Sequence, residues 1–216
     1  MSKQCIAVID YGMGNLHSAG KALEHVAPNA EVVITSDTDV IDQADRVVFP
    51  GVGAIGECMA EIQRLGFDKL VPKLVKEKPM LAICVGMQAL MSKSEENNGV
   101  DCIGLVQGQV KLFHNDIQDA GGVRLKVPHM GWNTVHQHDA GQMLHGIEQD
   151  SRFYFVHSYY VEADDKDIIA GTTNYGVEIV SAMSLHNLYA VQFHPEKSHD
   201  AGLQLLRNFV SWDGVK

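Results

Sequence analysis

Cys84 lies in the stretch Met80-Leu81-Ala82-Ile83-Cys84-Val85-Gly86-Met87-Gln88, with a small residue two before it and a glycine two after it. The apolar run Met80 to Cys84 reads as a buried parallel strand, and Met87 to Lys93 as a helix start. A nucleophile on a tight strand-to-helix turn needs small neighbours, because its backbone is strained and larger flanking side chains would collide. Such a turn sets the sulfur at the carboxyl end of a strand and near a helix N-terminus, where thiolate is favoured. An ordinary buried cysteine looks the same locally, so this stretch alone leaves both readings open.

The second informative stretch is Val191-Gln192-Phe193-His194-Pro195-Glu196. Pro195 disfavours a helical conformation at His194 and pushes it extended. Residues two apart in an extended segment point the same way, so His194 and Glu196 can approach each other. A carboxylate beside an imidazole fixes its tautomer and stabilises its charged form. With a candidate thiol elsewhere in the chain, this is the arrangement of a cysteine nucleophile with its base. The third stretch, Pro50-Gly51-Val52-Gly53, follows an apolar strand and precedes a helix. Its glycines leave backbone N–H groups free to face an oxyanion. The Val52–Gly53 peptide would give one donor and the Val85 N–H, just after the cysteine, a second. By itself this stretch also reads as a plain sharp turn.

The elements that must position these groups alternate through the first half. Strands are expected at Gln4 to Ile9, Glu31 to Thr35, Arg46 to Pro50 and Met80 to Cys84. Helices are expected at Leu16 to Val26 and Ile55 to Lys76, the latter with Gly66 and Pro72 as points where it could break. That alternation argues for a parallel sheet covered on both faces. After Lys93 strands dominate: Ile103 to Phe113, Val123 to Pro128, Thr134 to Gln137, Phe153 to Val161, Ile168 to Thr172, Val177 to Ser184 and Leu188 to Phe193. Turn signals such as Gly121-Gly122 and Asn174-Tyr175-Gly176 separate them, so hairpins are expected. Ala201 to Trp212 reads as a closing helix, with Leu203, Leu206, Phe209 and Val210 on one stripe. No repeat or linker interrupts the pattern. The expected architecture is α/β, with a mostly parallel central sheet, helices on both faces and an antiparallel excursion. A single domain over 1–216 is expected.

Composition narrows the function. The 216 residues carry a formal charge of −10, which argues against nucleic acid or an anionic membrane surface as a general partner. No apolar stretch reaches the ~20 residues of a membrane span, and Met1 to Asp10 lacks a signal-peptide layout. The four cysteines are scattered, with no Cys-x-x-Cys spacing, which disfavours a zinc ribbon and fits a reducing cytoplasm. Gly12-Met13-Gly14 before a helix lacks the third glycine of a dinucleotide fingerprint, and Asn15 there reads as a helix cap. His136-Gln137-His138-Asp139 lacks further ligands at metal spacing and reads as a solvated turn. The remaining histidines read as surface or satisfied core residues.

Taken together, the glycine turn, the cysteine elbow with Gln88 four residues on, and Phe193-His194-Pro195-Glu196 resemble the class I, triad-type glutamine amidotransferases, in that family's order. Ile9-Asp10-Tyr11-Gly12-Met13-Gly14-Asn15-Leu16, Pro128-His129-Met130-Gly131-Trp132-Asn133 and Phe155-Val156-His157-Ser158-Tyr159-Tyr160 are similar to the branch that serves as glutaminase subunits of imidazole glycerol phosphate synthases. The resemblance implies that Cys84 attacks the side-chain amide of glutamine, that His194 moves the proton and that Glu196 orients His194. It implies an oxyanion hole at Gly53 and Val85, and glutamine contacts from Gly51, Gln88 and the backbone of Ser158 and Tyr159. It implies no cofactor and no metal. The partner it implies is a (β/α)₈-barrel cyclase subunit in a heterodimer, which uses the ammonia to make imidazole glycerol phosphate and aminoimidazole-carboxamide ribonucleotide in histidine biosynthesis. Asn15, Tyr11, Trp132 and Tyr159 would lie near that partner. Two rival readings stand beside it: a stand-alone cysteine hydrolase on the same fold, and a binding module that has lost the chemistry.

Overall fold

The computed structural model describes residues 3–138 and 141–214. In chain order the first half runs β1 (Cys5–Ile9), α1 (Leu16–Val26), β2 (Glu31–Thr35), α2 (Thr38–Gln43), β3 (Arg46–Gly51), α3 (Ile55–Arg64), α4 (Phe67–Glu77), β4 (Met80–Cys84) and α5 (Val85–Ala89). The second half runs β5 (Lys93–Ser94), β6 (Val100–Asp101), β7 (Gly108–Leu112), β8 (His129–Thr134), β9 (His136–Gln137), β10 (Arg152–His157), β11 (Tyr159–Ala163), β12 (Ile169–Asn174), β13 (Glu178–Leu185), β14 (Leu188–Val191) and α6 (His199–Ser211).

The main sheet has the order β2-β1-β3-β4-β14-β13-β11-β7-β5-β6, with β12 pairing β13 and β9. From β2 to β14 every pair is parallel. Beyond β14 the β14–β13, β13–β11 and β11–β7 pairings are antiparallel, and β7–β5 is parallel again. This is the expected α/β architecture with its antiparallel excursion. The inner parallel strands are near-continuous apolar runs because both faces are covered: β4 is buried at every residue and β3 at all but Arg46, whereas the edge strand β2 opens on exposed Glu31. One contiguous buried cluster runs from Ile6 to Trp212, and Phe113, Ile117 and Ile179 form a small second one.

The parallel register aligns the carboxyl ends that matter. Gly51 of β3 pairs with Cys84 of β4, and Val191 of β14 pairs with Ile83. Three sequence-distant segments therefore end side by side, at the strand ends where open α/β sheets bind ligands.

Several expectations need correction. Of the two expected break points in the helix from Ile55, Gly66 does break it, at φ 76° as a left-handed residue, but Pro72 sits inside α4 without ending it. The helix after Cys84 begins at once and is a single turn, α5, rather than a run from Met87 to Lys93. Val123 to Pro128 is not a strand: only one bridge, Gln118 to Arg124, forms there. Its alternation is real, because Leu125 and Val127 pack on the small cluster, but no neighbouring strand pairs with it. The run Phe153 to Val161 is two strands. β10 pairs with β8 in a separate two-stranded ladder, and β11 joins the main sheet. On α6 the buried positions include Leu205, Leu206 and Phe209, while Leu203 is only half-buried. Helix α2 escaped the sequence reading, although Asp37 caps it with a 2.9 Å bond from the Asp39 N–H, the signature of an N-cap.

Candidate functional site

Cys84 closes β4 with φ 55° and ψ −112°, a backbone conformation that costs an L-residue on the order of 1–2 kcal/mol. The turn is held tight against β3. A Cβ on Gly86 would sit 2.0 Å from the Phe49 carbonyl oxygen, and one on Gly51 would sit 2.4 Å from the Tyr11 hydroxyl and 2.7 Å from the Gly86 nitrogen. The two glycines are thus required by close approach, and Tyr11 locks the contact by donating to the Pro50 carbonyl at 2.8 Å.

His194 follows β14 in an extended conformation. Its N–H donates to the Tyr154 carbonyl at 2.9 Å, and its own carbonyl accepts from the Ser198 hydroxyl at 2.6 Å. The imidazole Nδ1 lies 2.8 Å from Glu196 Oε1, with both side chains almost wholly buried. His194 Nε2 has no hydrogen bond of ordinary geometry, and neither has Glu196 Oε2. Burial works against charge on His194, but the neighbouring Cys84 sulfur and the Glu196 carboxylate outweigh it, and the imidazole is raised to about 10. Cys84, His194 and Glu196 are therefore brought into one cluster, in which an imidazole that readily takes a proton adjoins a sulfur.

A cleft of about 410 Å³ opens over Cys84, lined among others by Val52, Gly53, Val85, Gln88, Glu96, His157, Ser158 and Tyr159, enough room for an amino acid. Gly53 has φ 95°, and the Val52 carbonyl accepts from the Cys58 thiol at 3.5 Å. Gly51 does not line this cleft; it lines a small void behind it with Asn15, His194 and Glu196. The Ser158 carbonyl is taken by the Phe113 N–H at 3.0 Å, and the Tyr159 carbonyl by His157 Nδ1 and Gln88 Nε2. The Tyr159 carbonyl is thus engaged at both lone pairs, whereas the Ser158 carbonyl keeps one.

Outside the cleft, Asn15 occupies the N-cap position of α1 without a side-chain capping bond. Trp132 is 36% exposed and stacks on His199 at 5.0 Å. His136 pairs with Asp150 at 2.9 Å, and His138 Nε2 lies 2.8 Å from the Thr172 hydroxyl. Asp139 of that stretch lies outside the described residues, and no metal-ligand cluster occurs among the described ones.

Sequence reasoning missed three residues of this region. Gln192 and His157 stand inside the stretches Val191 to Glu196 and Phe155 to Tyr160 without being singled out, and Glu96 lies in no such stretch. Only Gln192 left a signal: it stands two before His194, so the alternation that paired His194 with Glu196 also places Gln192 on that side.

Comparison with known proteins adds independent findings. Residues 7–212 match the family described as glutamine amidotransferase class-I. The chain is 60% identical over 211 residues to imidazole glycerol phosphate synthase subunit HisH 1 of Pseudomonas aeruginosa, covering 98% of each chain. It is 52% identical to the HisH subunit of Nitrosococcus oceani over 97% of this chain and 98% of that one. Among solved structures, PurLQS of Thermotoga maritima superposes with a TM-score of 0.70 at 16% identity, covering 97% of this chain and 99% of that one. The glutaminase domain of Trypanosoma brucei CTPS, with bound acivicin, gives 0.64 at 16%, covering 98% of this chain and 95% of that one. These two show likeness of fold.

Proposed function

From the premise that the chain belongs to the class-I glutamine amidotransferases, as a HisH-type glutaminase subunit of imidazole glycerol phosphate synthase in histidine biosynthesis, we propose the following division of labour. The observation that carries it is the buried 2.8 Å contact between His194 and Glu196 beside a cysteine on a strained elbow.

Cys84 Sγ attacks the side-chain carbonyl carbon of glutamine while His194 Nε2 takes the thiol proton. The carbonyl electrons move to oxygen, and the Gly53 and Val85 N–H groups stabilise that oxyanion; losing one such donor typically costs about 10²–10³ in turnover. Collapse breaks the C–N bond, and His194 delivers its proton to the departing ammonia. The γ-glutamyl thioester that remains is attacked by water, with His194 now the base. Glutamate leaves and the thiol is restored. Glu196 holds the imidazole in the tautomer that presents Nε2 to these protons. Splitting the hydrolysis in two is what an amide, a poor electrophile, demands. Gln88, with Ser158 and Tyr159, bounds the glutamine, and Gly51 acts by letting the elbow approach β3.

The whole chain is read as one such domain. The ammonia passes to a second subunit, a (β/α)₈-barrel cyclase, in a heterodimer. A cytoplasmic setting fits four unpaired cysteines. No helix among the described residues is long and apolar enough to cross a membrane.

The test mixes the chain with such a cyclase and its ribonucleotide ligand and measures glutamate release with and without each. Strong stimulation by both is expected; a vigorous rate from the isolated chain, indifferent to the cyclase, would point to a stand-alone hydrolase. Gly53→Ala probes the oxyanion side. A Cβ there would be strained at φ 95° and would press on Met13 Cε at 3.1 Å, so the stimulated rate should fall about tenfold or more while glutamine KM moves little.

A further inference from the structure

Gln192 is wholly buried and has no part in the scheme above, yet its side chain reaches the nucleophile. Its Nε2 lies 3.7 Å from Cys84 Sγ. Its Oε1 accepts from Gln88 Nε2 at 3.0 Å, and the same Gln88 nitrogen donates to the Tyr159 carbonyl at 3.0 Å. The far end of this relay fixes every orientation in it. A backbone carbonyl only accepts, so Gln88 must turn its NH₂ toward Tyr159. That NH₂ has one more proton, which requires the oxygen of Gln192. The NH₂ of Gln192 is then left facing the sulfur. A flipped Gln192 would set nitrogen against nitrogen, losing the bond to Gln88, and would turn an acceptor toward the sulfur, which only a thiol could answer.

We propose that Gln192 stabilises the thiolate of Cys84 by donating an N–H to its sulfur, held in that sense by the Tyr159 carbonyl and Gln88. The proposal rests on the reading of Cys84 as nucleophile. The site needs such a donor for two reasons. Helix α5 is five residues long, so few peptide dipoles add up at its N-terminus, and Cys84 is only 3% exposed, so water gives its anion little help. His194 lends its charge at both moments, but its proton is the one being moved. Gln192 keeps its N–H, and an N–H donated to an anion is stronger than one donated to a neutral group. It acts first when the thiol ionises and again when the thiolate departs from the thioester.

The test follows alkylation of Cys84 by iodoacetamide in the full chain between pH 5 and pH 10, resolved from Cys5, Cys58 and Cys102 by peptide mass spectrometry. The other titratable groups about the sulfur, His194, Glu196, Tyr11, Cys58 and Glu96, stay in place. Gln192→Leu is expected to move the midpoint of the profile up by about one pH unit, a tenfold loss in ionisation, with the high-pH plateau kept within about twofold. Gln192→Glu, nearly the same shape but without the donor, should move it further by adding a like charge. Should the leucine variant fail to fold, the glutamate variant carries the test alone. Profiles that coincide with the wild type, or a loss equal at every pH, would overturn the proposal, the second because a packing defect does not depend on ionisation. A separate arm treats the wild type with a glutamine-like chloroketone. No label on Cys84 there brings down the nucleophile reading itself, and this proposal with it.

Discussion

His194 and His157 are both buried, at 1% and 6% exposure, and are pushed in opposite directions. His194 has a carboxylate at 2.8 Å and a sulfur beside it, and is raised to about 10. His157 has only a backbone carbonyl at 2.8 Å and the neutral ring of His129 at 2.9 Å, and burial lowers it to about 3. His129 is lowered by burial to about 4. The neutral pair has one consistent proton arrangement. His157 Nδ1–H donates to the Tyr159 carbonyl, so its Nε2 accepts from His129 Nδ1–H, and His129 Nε2 accepts from Asn133 Nδ2 at 3.3 Å. Burial alone makes an imidazole neutral; the partner decides whether it is charged instead. One setting is therefore fit to move protons and the other to hold the strand end at Tyr159 on which Gln88 leans.

The largest effect that follows is on chemistry. His194→Asn should lower partner-stimulated glutamine hydrolysis by on the order of 10³-fold or more, as loss of a triad member does. His157→Gln, which keeps a donor and an acceptor, should cost far less. Comparable losses in the two variants would erase the distinction between them.

The two settings should also leave opposite marks on stability against pH. A raised imidazole contributes stability that is complete below its unfolded value near 6.5 and is lost as pH climbs through about 10. A lowered imidazole contributes stability that is complete above 6.5 and is lost as pH falls toward about 3. Thermal melts across pH should therefore show Glu196→Gln blunting the alkaline loss of the wild type, and His157→Gln blunting the acid loss. Each should amount to a few degrees. An acid limb unchanged by His157→Gln would refute the neutral assignment.

Glycines sharpen the contrast at smaller amplitude. Gly86→Ala must part the elbow from β3, since its Cβ meets the Phe49 carbonyl at 2.0 Å. It should cost about 2–3 kcal/mol by denaturant unfolding. Gly131, beside the His129 network on β8, has φ 132° with nothing within 4 Å of a new Cβ, so Gly131→Ala should cost only its backbone strain, about 1 kcal/mol. Equal costs would mean that the elbow is not the tighter of the two regions.

The parallel half was legible because each strand there is a short run with an apolar middle, ended by turn residues, and Leu16 to Val26 and Glu31 to Thr35 fall where the pattern put them. The second half was less so. The run Phe153 to Val161 is rich in aromatic residues on both sides of His157-Ser158, and no glycine or proline marks Ser158 as the point where the chain leaves one ladder for another sheet. The segment after Gly122 alternates as a strand does but finds no strand to pair with, a tertiary fact. In the site, Cys84, His194 and Glu196 stood out because their neighbours, Gly86 and Pro195, constrain backbone. Gln192 and His157 sit among ordinary strand residues, and what sets them apart is a partner distant in sequence: Cys84, 108 positions away for Gln192, and His129, 28 away for His157.

A third histidine gives the comparison its floor. His136 pairs with Asp150 at 2.9 Å, with each side chain 57% exposed. Water competes for both partners there, and an exposed contact of this kind is worth about 0–1 kcal/mol. Its neighbour His138 packs edge-on against it at 5.3 Å and bonds a threonine hydroxyl, but the two belong to no group of three or more potential metal ligands among the described residues. His136→Ala should shift unfolding by under about 0.5 kcal/mol and leave stimulated hydrolysis unchanged, and a chelator should do nothing to either protein. If the alanine variant instead lost a zinc-dependent rise in melting temperature seen in the wild type, the stretch from His136 would have to be read as a metal site after all. The ranking of the three histidine settings by burial and partner would then be incomplete.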